Sequence, residues 1–112
     1  MGRQARSLHS ENMVASGAVS AHRFVLGTGV QAVDGESALG VSESAAADAE
    51  VFPLTVIGTA IIECGNTFAK GAAVQSDVNG MAIVKAAGTK NGIAMEACTV
   101  AGQFVEILVV AN

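Results

Sequence analysis

The chain contains no Trp and no Tyr, and only four Phe in 112 residues. Phe24, Phe52, Phe68 and Phe104 each sit in or beside an apolar run, which is where core residues stand. That leaves no row of rings on which single-stranded nucleic acid would stack, and few aromatics to line a small-molecule pocket. Charge is scarce as well. Only 14% of residues are charged, against about 25% in an average soluble domain. Together with an apolar fraction of 51%, this excludes a disordered chain, whose signature is low hydrophobicity with high charge. The net charge is −4, so no basic footprint for nucleic acid is present and no direct nucleic-acid partner is expected.

Long apolar runs are also missing. The longest, residues 51–62, is interrupted by Pro53, Thr55, Gly58 and Thr59. It falls short of the roughly 20 residues a spanning helix needs, and no membrane partner is expected. Arg3 and Arg6 precede the small-residue stretch Ala18-Val19-Ser20-Ala21, but residues 7–12 are polar where a signal peptide carries its apolar region. The expectation is a protein made in a cytoplasm. Cys64 and Cys98 lie far apart and outside any metal-type spacing. They are expected as two buried reduced thiols, with a disulfide as the alternative.

The inventory for chemistry is equally thin. A nucleophile needs a base held in one orientation, yet both histidines, His9 and His22, fall in a polar N-terminal stretch. Two histidines and two distant cysteines match no metal-ligand spacing. Glu43 and Glu96 occupy similar places in two related segments, but scattered carboxylates read first as solvated turn residues. Gly27-Thr28-Gly29 is not followed by a helical pattern that would offer N–H groups to phosphate. The reading is a non-enzyme with no cofactor, no metal and no catalytic residue.

What the chain does have is small apolar residues: 21 Ala, 15 Val and 13 Gly. Such a core buries little area per residue, so an oligomer, or a partner that completes the burial, is expected. One domain fits this length. From Phe24 onward short apolar runs alternate with glycine, the pattern of strands and turns. Strands are predicted at residues 24–26, 31–33, 39–41, 54–57, 60–64, 73–76, 81–84, 93–95 and 104–110. Asp77-Val78-Asn79-Gly80 predicts a hairpin turn, and Lys90-Asn91-Gly92 a second. Residues 44–49 are the one candidate for a short helix. In the final strand Glu106, Leu108 and Val110 face opposite to Val105, Ile107 and Val109. Its second half is thus apolar on both faces, as in a strand that is central or covered by a neighbouring subunit.

Charge divides the sequence. Residues 1–23 hold Arg3, Arg6 and Arg23 against Glu11 alone, whereas residues 24–112 hold three lysines against nine carboxylates. Residues 1–23 therefore read as an N-terminal arm and residues 24–112 as the β domain. Within the latter, Gly40-Val41-Ser42-Glu43-Ser44-Ala45 before Asp48-Ala49-Glu50-Val51-Phe52-Pro53-Leu54 has an echo. It is Gly92-Ile93-Ala94-Met95-Glu96-Ala97 before Ala101-Gly102-Gln103-Phe104-Val105-Glu106-Ile107. The echo suggests either a duplicated half-barrel or two turns that solve the same problem.

The order of these segments resembles that of the small capsid cement, or head decoration, proteins of tailed bacteriophages. The similarity runs through Ala38-Leu39-Gly40-Val41, Val56-Ile57-Gly58, Ala60-Ile61-Ile62 and Lys70-Gly71-Ala72-Ala73-Val74. It continues through the Asp77 turn and the two C-terminal segments of the echo. The resemblance implies a mostly β, small single-domain β-barrel-like fold of the β-tulip type, with an extended N-terminal arm and at most one short helix. It implies a homotrimer on the outer surface of an assembled head, with the major capsid protein as partner. It further implies an arm that reaches that protein, its capsid contacts being Arg3, Arg6 and Arg23. Two alternatives stand beside it: another phage structural component, such as a head fibre base or a neck or tail ring, and a small ligand-binding β domain.

Overall fold

A computed structural model describes residues 7–110 as eight strands, with no helix among the described residues. The strands are β1 Ser7–Val14, β2 Phe24–Val25, β3 Gly40–Ser42, β4 Val51–Glu63, β5 Ala73–Ser76, β6 Ala82–Val84, β7 Gly92–Ala94 and β8 Phe104–Val109. All pairs between strands are antiparallel, in the order β2-β3-β4-β8-β7-β5-β6, and β1 joins β4. The sheet curls into a nearly closed barrel, the small all-β architecture expected. The helix candidate at residues 44–49 is not helical. Ala46 exchanges backbone hydrogen bonds of 2.9 Å with Val19, and the Glu50 N–H closes a turn on the Ala47 carbonyl.

β4 organises the sheet. Its sequence reads as two strands divided at Gly58, but the chain continues through. The 13 residues of β4 make it the longest of the described strands. Gly58 has φ +108°, a value that side chains rarely permit. It stands where β4 leaves β1 and β3 and takes up β8. Pro53 lies near the start of β4 and leaves its carbonyl to the Glu43 N–H, consistent with its missing donor.

The hairpin at Asp77–Gly80 forms as the sequence predicts and joins β5 to β6. Asp77 holds it by accepting the N–H groups of Asn79 and Met81 on one carboxylate oxygen, at 2.8 and 2.9 Å. Asn91-Gly92 forms no such turn. Asn91 is buried, and its amide ties down a distant loop by accepting the Ala38 N–H and donating to the Glu36 carbonyl.

The two halves of the chain repeat one another. Ala15 and Val19 are bonded to Glu50 and Ala46 as Cys64 and Phe68 are bonded to Gln103 and Cys98. His22 donates to Ser42 as Gly71 donates to Ala94. The Gly27-Thr28-Gly29 turn closes Leu26 on Val30 as the Asp77 turn closes on Met81. One buried cluster contains Ala15, Val19, Val25, Ala46, Phe52 and Leu54. Their counterparts Cys64, Phe68, Val74, Cys98, Val105 and Ile107 all belong to the other cluster. Of the two explanations for the sequence echo, the structure therefore favours a duplicated half-barrel. It also corrects the expected state of the cysteines: Cys64 and Cys98 are buried, and they are joined in a disulfide.

Candidate interaction surfaces

Arg23 precedes β2 and is mostly enclosed. One guanidinium nitrogen pairs with Glu63 at the end of β4 at 2.9 Å, with the two side chains 15% and 22% exposed. Another donates to the Asn79 carbonyl at the tip of the hairpin, 2.9 Å away. Gln31 donates to the same carbonyl, and the Phe24 N–H bonds the neighbouring Gly80 carbonyl. Arg23 thus links the N-terminal half of the chain to β4 and to the β5–β6 turn. Arg3 and Arg6, the other two expected capsid contacts, lie outside the described residues.

Ser7–Val14 runs antiparallel along β4 from Val51 to Gly58. Beyond Ser7 its residues are exposed, apart from half-buried Met13. His9 and Glu11 pair with one another at 2.7 Å on its surface. Among the described residues, no strand pairs with β1 on the side away from β4. The chain then turns inward, and Ala15 and Val19 enter the core.

The outer face of the sheet carries exposed apolar residues among polar ones. β8 lies between β4 and β7, with Val105 and Ile107 buried beneath it. On its opposite face Leu108 is flanked by Thr59 and Ile93. Phe104 and Leu108 are about 40% exposed, at 42% and 39%. Val14 and Val51, directly opposed across the β1–β4 pair, are exposed too.

The remaining sequence candidates are occupied with holding the fold. His22 sets its ring edge against Phe104, with centroids 5.3 Å apart, and places Nδ1 3.2 Å from the Ile61 carbonyl. Glu43 accepts the hydroxyls of Ser10 and Thr55 at 2.6 and 2.7 Å. Glu96 accepts the Glu106 N–H, so each of these carboxylates serves its own neighbours. Among the described residues no group of three or more His, Cys, Asp or Glu could hold a metal ion. A shallow depression is lined by Asp34, Gln75, Ile83 and the small residues of loop 86–88. Gln75 spends its carbonyl oxygen there on the N–H groups of Ala86 and Gly88, closing the loop rather than presenting an acceptor to a ligand.

Fold and surface together define a small β-barrel module that works through contact. The family model of the phage cement protein matches residues 7–109, and the chain belongs to that family. It is a structural protein of the phage head. A search of curated proteins finds no match. Among solved structures the chain is similar to the N base of the head fibre gp8.5 of bacteriophage phi29. The TM-score is 0.73 at 17% identity, covering 91% of this chain and 93% of that one. At that identity the likeness is one of fold.

Proposed function

We propose that this protein binds the outer surface of an assembled phage head, bridges neighbouring major capsid protein subunits and stabilises the shell against the pressure of the packaged DNA. The observation that carries this reading is the extent of the family match, from Ser7 to Val109. It takes in β1 and the whole barrel rather than a fragment. The protein acts as a homotrimer on the capsid and has no enzymatic role. The exposed apolar residues Val14, Val51, Ile57, Phe104 and Leu108 are what subunit contact would cover, adding buried area to a core of small side chains. Of residues 1–23, Ser7 onward is built into the barrel as β1 and the core positions Ala15 and Val19, so the arm that acts on the capsid is the stretch before Ser7. Arg3 and Arg6 reach the capsid directly, while Arg23 sets the position from which they start. The sheet ends at β1 among the described strands, and such an edge can take a strand of the capsid protein through backbone hydrogen bonds.

Trimeric attachment would make the second and third contacts effectively intramolecular, so modest single contacts suffice. A ligand that binds only the assembled shell stabilises that state by mass action. Heads that lack the protein should therefore release DNA at a lower temperature, or sooner under chelation, than decorated heads. Equal release from both would contradict the reading. A second reading, the base of a head fibre, draws on the likeness to the phi29 N base. Further chain beyond the barrel and a low copy number per particle would favour it.

A further inference from the structure

We propose that Cys64 and Cys98 form a redox-operated lock on a fold that closes without it. The argument comes from the duplicated halves. Ala15 and Ala46 occupy in the first half the positions that Cys64 and Cys98 occupy in the second. The backbone bonds around the two pairs correspond one for one: Ala15 to Glu50 and Ala49, Cys64 to Gln103 and Gly102, Val19 to Ala46, and Phe68 to Cys98, all between 2.7 and 3.0 Å. All four side chains are buried. The first half thus makes the same closure with two alanines, through hydrogen bonds and packing alone. The disulfide adds a covalent tie across a closure that the backbone already specifies, and its loss removes the tie without opening the closure.

The lock closes by exchange with a low-molecular-weight disulfide. The two thiols give up two protons and two electrons, the S–S bond forms, and the small disulfide leaves as two thiols. Exposed residues 99–102 follow Cys98 directly, and local opening there admits the small disulfide. A reducing cytoplasm keeps such a pair as thiols, while oxidising surroundings close it. On the capsid reading above, the head is therefore decorated by reduced protein and locked after release from the cell.

The test is thermal unfolding of the full chain, oxidised and in reductant, followed by circular dichroism, with C64A/C98A alongside. The reduced protein and C64A/C98A are expected to keep the β spectrum of the oxidised form at 25 °C. Both should unfold at a midpoint lower by on the order of 10 °C, since a bridge across a loop of this length restricts the unfolded chain. Reduced protein that is unfolded at 25 °C would overturn the proposal, and so would identical midpoints. Acid quenching of thiol exchange, followed by alkylation of the denatured protein so that the buried cysteines are reached, tests the timing. The cysteines should be modified in samples quenched from infected cells and protected in samples quenched from released heads. Protection already complete in the cell would overturn the sequence of events, whereas absence of the protein from heads would instead count against the capsid reading.

Discussion

Ala49 and Gly102 are counterparts in the two halves, and both have positive φ, +69° and +90°. Ala49 bears the strain of a left-handed backbone, whereas Gly102 adopts the same shape freely. A Cβ at Gly102 would meet open space, so backbone conformation alone decides the outcome. Gly102→Ala should cost about 1 kcal/mol, and Ala49→Gly should gain up to about 1 kcal/mol, less what glycine adds to unfolded-chain entropy. Urea unfolding midpoints check both, and a neutral Gly102→Ala would remove the equivalence. Arg23 calls for a different expectation. Its ion pair is only partly exposed, and removing one partner strands the other, so Arg23→Ala should lower stability by about 2 kcal/mol. Arg3→Ala with Arg6→Ala should leave the unfolding midpoint unchanged while weakening attachment to heads. Weakened attachment by Arg23→Ala at full stability would instead make Arg23 a direct contact.

At the level of elements, the repeat predicts that Ala15→Cys with Ala46→Cys will form a second disulfide. Mass spectrometry should show the loss of two hydrogens, and the denatured protein should contain no free thiol. Folded protein with two free thiols at those positions would contradict the correspondence. How far these elements were legible depended on where each one's partner lay. β5 falls at residues 73–76 as the sequence predicts, because a buried run there leads into a self-contained turn. β1 was missed because Ser7–Val14 is an exposed strand with little alternation of apolar residues. Its place is set by backbone pairing to β4, which leaves no periodic signal. Asn91-Gly92 has the residues of a turn, but Asn91 answers to a loop more than fifty positions away. Arg23 is grouped in the sequence with Arg3 and Arg6 as a capsid contact of the arm, with no sign of internal partners. Its partners Glu63 and Asn79 come from strands and turns that only the closed barrel brings near.

At the level of the whole molecule, one chain holds two similar halves around a long central strand, with exposed apolar residues left on β1, β4 and β8. The all-β class and the small apolar core were readable from composition and glycine spacing, and so was the outer Leu108 of β8, whose strand is apolar on both faces in its second half; the exposed Val14–Val51 pair was not, since β1 itself leaves no periodic signal. β1 and residues 15–19 are bound into the barrel, so a truncation meant to test the arm has to stop before Ser7. Deletion of residues 1–22 would remove a strand and two core positions and unfold the protein. The most direct test is co-sedimentation of purified protein with undecorated heads, using the full chain and a chain that lacks residues 1–6. The account predicts that the full chain pellets in hundreds of copies per head, and that the shortened chain, equally folded, pellets weakly or not at all. Folded full-length protein that stays in the supernatant, or saturates at a dozen copies, would contradict it.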